Sequence, residues 1–372
     1  MSLRCLLIGP NEQGEQATGE DTHVCSLLDY PPHGVEYVHY GDLLAQGKAT
    51  RQPWIHRLFS RLARCGFLRP APWLETLTSD EKFDLVHVHG FDLRLEGKIA
   101  QGPVILGTSS YGPANCADYL GWNDKRIARH HRRLKKLFKM LKVYDACNNL
   151  RSAEKVIVWS NYARGLHLAR GAPPEKVVTI PPGVKAPPAA AKSPGPPEVL
   201  FVGKDFKRKG GEVLLKAWRK IPPELAQLTI VGTKEKNLPV GINHYAEVSP
   251  IILKNQFYKN SHILAFPTFA EGYGLVVLEA MAQGMAVVAT NIGALPELVA
   301  DGETGCLVPR GDADALAEKL LGLIQQPELC EKMGGAGRQR VIDYFSVEQR
   351  NEMLSDIYRQ VVSQSSAAAC CA

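Results

Sequence analysis

Short runs of β-branched, aromatic and aliphatic residues alternate along this chain with stretches whose apolar positions recur every three or four residues. The alternation is most regular in the second half. Val199-Leu200-Phe201-Val202 predicts a strand, Glu212 to Trp218 a helix, and Leu228-Thr229-Ile230-Val231 a strand. The pattern repeats with a strand from Ile263 to Pro267, a helix from Leu275 to Ala282 closed by Gly284, a strand at Val287-Val288-Ala289 and a helix from Asp314 to Leu323. Upstream it is looser, with predicted strands at Leu6 to Ile8, Val35 to Val38, Leu85 to Val88, Val104 to Leu106 and Val156 to Trp159. Strands separated by helices imply parallel sheets with crossover helices. The predicted fold class is α/β, with two doubly wound Rossmann-like domains facing across a cleft and a ligand where the carboxyl ends of their strands meet.

Between the halves, Pro181 to Pro197 carries seven prolines and one long apolar side chain, Val184, so the segment cannot pack as a regular element and should run extended. It divides the chain into a first domain at 1–182, a linker at 183–198 and a second domain at 199–344. After Ser363-Gln364-Ser365-Ser366, residues 363–372 read as a disordered tail.

Length and charge sharpen this division. The 372 residues are 45% hydrophobic and 22% charged, a globular composition sized for two domains. The net charge of +6 is too mild to announce a nucleic-acid binder. Residues 1 to 185 hold 25 basic and 18 acidic side chains, net +7, and residues 186 to 372 hold 19 and 20, net −1. The nine cysteines form no C-x-x-C pair, and they read as reduced thiols rather than a disulfide framework or zinc site. Cys5-Leu6-Leu7-Ile8 is too short for a signal-peptide core, and no run approaches the roughly 18 apolar residues of a spanning helix. A cytoplasmic protein is expected.

Candidate chemistry concentrates in Pro267-Thr268-Phe269-Ala270-Glu271-Gly272-Tyr273-Gly274-Leu275-Val276-Val277-Leu278-Glu279-Ala280-Met281-Ala282. A strand ends, a loop with two glycines follows, and a helix begins near Gly274 or Leu275. Its first amides and positive dipole end make an anion site that glycines let a phosphate approach. Glu271 and Glu279 bracket this terminus. Carboxylates would repel a phosphate, so they suit hydroxyls, and a sugar or ribose is the implied neighbour.

This Glu-x7-Glu segment resembles the retaining glycosyltransferases of family 4 (group 1), which have the GT-B fold. Phe201-Val202-Gly203-Lys204-Asp205-Phe206-Lys207-Arg208-Lys209-Gly210-Gly211 is similar to the family's basic loop, and Pro296-Glu297 to Pro309 to its Pro-Glu and Asp-Gly-x-x-Gly block. Asp84 to Gly90, Ile180 to Val184 and Phe345 to Val362 also match, the last implying a helix at about 345–362 that packs back on the first domain. The resemblance implies that Lys209 clamps the donor diphosphate and that Lys204 stands where the family usually has arginine, with Arg208 nearby. It implies that Glu279 holds the nucleotide ribose, Glu271 lies near the donor sugar, and Gly274 and Leu275 present amides to the phosphate. Gly203, Gly272 and Tyr273 complete the implied donor site, with Glu271, Lys209 and Lys204 as its catalytic set. On the acceptor side the family's histidine after the fourth strand is missing. Ser109 and Ser110 stand there, and Gly14 alone is carried over from the altered first glycine loop.

The implied function is retaining transfer of a sugar from a UDP- or GDP-sugar to a glycan, lipid or small-molecule acceptor. The nucleotide-sugar is a substrate, with no cofactor and no metal. The cations and helix amides would stabilise the leaving diphosphate, and Asp312-Ala313-Asp314 reads as a helix cap rather than a metal pair. A non-catalytic nucleotide-sugar-binding protein and a nucleotide-sugar epimerase are the alternatives. His87 and His89 alternate along their strand, so at most one is expected to face the cleft. Nine basic side chains from Lys125 to Lys142 surround an apolar stripe, and Trp54 to Phe67 mixes arginines with aromatics. These stretches read equally as solvated faces or as a dock for the anionic cytoplasmic face of a membrane.

Overall fold

The computed structural model describes residues 2–10, 19–53, 75–89, 93–108, 125–126, 129, 132–133, 152–169, 171–189, 192, 195–235 and 238–371. Gly14, Ser109, Ser110, residues 54–67 and most of 125–142 lie outside the described residues. The chain divides into two compact units. The first takes the N-terminal strand, the described residues of Glu20–Pro181, and the chain from Asn351 on, and the second takes Gly19 and Pro182–Arg350.

The first unit is built on a parallel sheet ordered β2-β1-β5-β7-β8-β9, with β1 at Leu3–Ile8, β2 at Val35–His39, β5 at Leu85–His89, β7 at Val104–Thr108, β8 at Lys155–Val158 and β9 at Val177–Thr179. A smaller sheet, β3-β4-β6, combines β3 (Ala49–Pro53), β4 (Glu75–Ser79) and β6 (Leu93–Gly97). The polar sequences ATRQP, ETLTS and LRLEG carry no apolar run to announce it. Helices α1 (Gly19–Asp29), α2 (Tyr40–Ala45) and α3 (Asn161–Leu168) belong to this unit's part of the chain.

The second unit's sheet runs β12-β11-β10-β13-β14-β15, all parallel. Its strands are β10 (Glu198–Val202), β11 (Gln227–Val231), β12 (Asn243–Tyr245), β13 (Ile263–Phe266), β14 (Ala286–Thr290) and β15 (Gly305–Val308). In order of appearance that is 3-2-1-4-5-6, the doubly wound dinucleotide-binding topology, with its switch point between β10 and β13. Every residue of β13 and β14 is buried, as a parallel sheet covered on both faces requires. Helix α4 (Gly211–Trp218) follows β10, α5 (Leu275–Ala282) follows β13, and α6 (Ala313–Gln325) and α7 (Pro327–Tyr344) follow β15. Asp312 caps α6, its carboxylate accepting from the amides of Asp314 at 3.0 Å and Ala315 at 2.9 Å.

The proline-rich segment is tied to the second unit rather than hanging free. Val184 donates its amide to Phe345 O at 2.8 Å, and Arg338 donates to the carbonyls of both Pro187 and Ala282. A Cβ on Gly183 would fall 2.6 Å from Val347 Cα, so the two chain segments touch backbone to backbone there.

The last helix, α8 (Val347–Cys371), runs through the stretch read from sequence as a disordered tail. Ala367, Ala368 and Ala369 are the strongest helix formers and let it continue past the serines. Its Leu354, Tyr358 and Val361, spaced four and three apart, join Cys5, Leu7, Leu27, Leu85 and Ile105 in one buried cluster of the first unit.

Candidate functional site

The site of the second unit forms where the carboxyl ends of β10 and β13 diverge. β10 ends at Val202, and Gly203 follows with its amide donating to Val231 O at 3.0 Å. A Cβ on Gly203 would sit 2.7 Å from Lys209 Cγ, so the glycine opens the space that the Lys209 side chain crosses. Gly210 has φ +80°, and a Cβ there would fall 1.8 Å from Pro267 O. Only glycine brings the basic loop this close to the end of β13.

That approach sets Lys209 against Glu271. Its ammonium donates to Glu271 Oε2, and both side chains are nearly buried, at 14% and 13% exposed. Lys209 Nζ also lies 4.7 Å from the centre of the Phe266 ring, the last residue of β13. Arg208 braces the loop: it donates to Ala270 O at 3.1 Å, lies 3.4 Å from Asp205 Oδ2, and its own carbonyl accepts from the Phe269 amide at 2.8 Å. Lys204 is exposed on the same loop. Lys209 and Glu271 are therefore joined directly, whereas Arg208 is engaged in holding the loop that carries Glu271.

Helix α5 begins at the expected residue. Gly274 is its N-cap at φ +105°, no side chain caps it, and the amides of Val277 and Leu278 both donate to Gly274 O. The amides of Leu275 and Val276 thus lie at the positive end of the helix, one residue-turn from Glu271 along the chain. Tyr273 is buried, and burial, then the nearby Glu297, pushes its phenol well above the ordinary range. Gly272 is partly exposed between Glu271 and Tyr273.

Glu279 lies one turn into α5, its side chain 11% exposed. Oε1 is 3.2 Å from Lys254 Nζ, and Oε2 accepts from Tyr258 Oη at 3.2 Å. Sequence reasoning missed Lys254 and Tyr258. They lie on a π-helical turn, Leu253–Tyr258, ahead of β13, and no spacing in the sequence links them to Glu279.

In the first unit, His87 and His89 do not divide between two faces. Two residues apart on a strand, they share one face, and their ring centres lie 4.6 Å apart with both side chains buried.

Comparison with known proteins now adds to this geometry. The profile described as Glycosyltransferase Family 4 matches residues 16–186, and that described as Glycosyl transferases group 1 matches residues 185–340. The chain is 31% identical over 176 residues to the capsular polysaccharide biosynthesis glycosyltransferase CapM of Staphylococcus aureus, covering 44% of this chain and 46% of that protein. It is 33% identical over 189 residues to an alpha-maltose-1-phosphate synthase of Mycobacterium tuberculosis, covering 45% and 49%. The match spans about half the length of these curated relatives. Among solved structures, a sucrose-phosphate synthase from Thermosynechococcus elongatus aligns with a TM-score of 0.66 at 19% identity, covering 97% of this chain and 100% of that one. The Anabaena protein HepE in complex with UDP and glucose aligns with a TM-score of 0.65 at 16% identity, covering 96% and 100%.

Proposed function

The chain belongs to the glycosyltransferases of family 4 (group 1) and has the GT-B fold; from that premise we propose that it moves a sugar, with retention, from a UDP- or GDP-sugar to a glycan, lipid or small-molecule acceptor. The observation that carries the reading is the nearly buried Lys209–Glu271 pair beside the first amides of α5, with Glu279 one turn further on.

Each part has a role that follows from its chemistry. The donor diphosphate lies against the N-terminal amides of α5 and takes the Lys209 ammonium. Glu271, relieved of that partner, accepts from hydroxyls of the donor sugar, and Glu279 accepts from the ribose diol. As the glycosidic bond breaks, charge grows on the diphosphate oxygen, where Lys209, the helix amides and Lys204 stabilise it more than they stabilise the ground state. No protein nucleophile is invoked, and the acceptor attacks from the face the leaving group departs. The nucleotide-sugar is the substrate, and no cofactor enters. Arg208 contributes by holding the Glu271 loop. HepE was solved with UDP and glucose, which supports a nucleotide-sugar as the donor class.

We place the reaction on the cytoplasmic side, against an anionic membrane face. Lys125, Arg126, Arg129, Arg132 and Arg133 are all exposed helical positions, which supports that setting. Among the described residues no helix is long and apolar enough to cross a membrane.

The test is incubation with UDP- and GDP-sugars and a lipid or glycan extract, reading released nucleotide, labelled product and the anomeric configuration of that product. Turnover with retained configuration is expected. Binding without turnover across the panel would favour a non-catalytic module, and an inverted product would refute the retaining mechanism.

A further inference from the structure

A carboxylate that must accept two ribose hydroxyls works best when its plane is already fixed. Free rotation of a glutamate side chain costs entropy at the moment of binding. Glu279 has two neighbours that could fix it, and they differ in kind. Lys254 reaches Oε1 from a side chain that is 44% exposed, so it can swing into solvent at little cost. Tyr258 is fully buried and donates to Oε2. Burial, and after it the Glu279 carboxylate, holds its phenol well above the ordinary range, so it stays a donor at every physiological pH.

Tyr258 is itself held in place from the other end. It closes the π-helical turn Leu253–Tyr258, an arrangement often found at functional sites. Backbone carbonyls at a helix C-terminus lack intrahelical donors. Here Lys192, from the proline-rich segment, supplies one: its ammonium donates to Tyr258 O at 3.0 Å and to Lys259 O at 3.3 Å. A cation at that end also suits the helix dipole. Burial lowers Lys192 to about 8, so it remains largely an ammonium at neutral pH. The same residue, Tyr258, therefore takes a bond on its carbonyl from the proline-rich segment and gives one from its hydroxyl to the donor-site carboxylate.

We propose that Tyr258 is a positioning residue for Glu279, orienting its carboxylate toward the donor ribose, and that Lys192 fixes Tyr258 in turn. The inference rests on Glu279 holding the ribose, as read above. It assigns to the proline-rich segment a part in donor binding through Tyr258.

Isothermal titration of the full chain tests it with UDP, GDP and the 2′,3′-dideoxy forms of both. The unmodified chain should prefer the ribose form of its nucleotide by about a hundredfold, the lower end of the range for two hydrogen bonds to a charged group. Tyr258→Phe keeps the ring and removes only the hydroxyl. It should cut that preference to about tenfold, while affinity for the dideoxy form changes less than about twofold. Lys192→Met should shift the preference the same way by about threefold. A merely structural loss would weaken both forms together, and that result, or an unchanged preference, overturns the proposal. Should Tyr258→Phe fail to fold, Lys192→Met decides alone, an unchanged preference again overturning it. Failure of the underlying reading looks different: the unmodified chain would then bind no nucleotide, or bind ribose and dideoxy forms equally.

Discussion

His87 on β5 and Tyr358 on α8, 271 residues apart in the chain, share a hydrogen bond of 2.6 Å inside the first unit. Tyr358 Oη lies 2.8 Å from Tyr37 Oη as well, and the His87 and Tyr358 rings meet edge to face at 5.7 Å. His87 Nε2 has no hydrogen-bond partner among the described residues. Its ring presses on the backbone of β7, where a Cβ at Gly107 would fall 2.9 Å from Nε2. The last helix of the chain is thus latched to a strand near its start by a histidine that has no room for added solvation.

Acid should loosen this latch. Burial, and then the neighbouring His89, hold His87 well below the usual imidazole range, so it is neutral in the folded chain. The unfolded chain takes up a proton near pH 6.5, so below that pH it binds one more proton than the folded chain. Stability should therefore fall as pH falls below about 6.5, by about 1.4 kcal/mol per pH unit for this residue, and be insensitive to it above about 7. Urea unfolding at pH 7.5, 6.0 and 5.0 measures the slope. His87→Gln should lower that slope by this amount, and equal slopes in the two proteins would refute the assignment.

Lys209→Ala removes the ammonium that reaches Glu271. Loss of a charged hydrogen bond corresponds to about 1.5–3 kcal/mol, so nucleoside diphosphate binding should weaken about ten- to hundredfold. A calorimetric titration unchanged from the unmodified protein would mean the diphosphate lies elsewhere.

Two glycines with nearly the same positive φ should respond differently to alanine. Gly171 has φ +84° with nothing within 4 Å of an added Cβ, so its replacement should cost only the left-handed penalty of about 1–2 kcal/mol. At Gly210 a Cβ would fall 1.8 Å from Pro267 O, and the basic loop would have to move off β13. Gly210→Ala should cost roughly 3 kcal/mol or more and abolish nucleotide binding. Thermal melts of the two variants, compared directly, check the difference.

The exposed bases at Lys125, Arg126, Arg129, Arg132 and Arg133 should give salt-sensitive binding to vesicles that contain phosphatidylserine and none to neutral vesicles. Each base near an anionic surface contributes about 1 kcal/mol, screened within a Debye length. Vesicle sedimentation at low and high salt reads this, and absence of binding at both would leave the segment a solvated face.

The second unit was legible in the sequence because its strands are apolar on both faces. Val199 to Val202 and Ala286 to Thr290 are continuous buried runs that signal a covered parallel sheet. The start of α5 was equally plain from Gly274. The β3-β4-β6 sheet was hidden because its strands read as polar loops, and β12, with Asn243, His244 and Tyr245 all exposed, gave no apolar signal. Pairings across the fold were also out of reach. Lys209 meets Glu271 across 62 positions, and Tyr258 meets Glu279 across 21, so only the folded chain reveals which cation and which phenol attend which carboxylate. His87 and His89 share one face because residues two apart on a strand point the same way, which the spacing alone fixes.

The discontinuity of the first unit bears on the order in which the protein can mature. Its core needs Leu354, Tyr358 and Val361 from α8, which are synthesised after the whole stretch from Pro182 to Arg350 that the second unit takes. During synthesis the second unit can therefore close while the first still exposes the apolar face that α8 will cover. A nascent chain stalled before residue 351 would hold a folded second unit and an unfinished first one, and the exposed apolar face is what a chaperone would recognise.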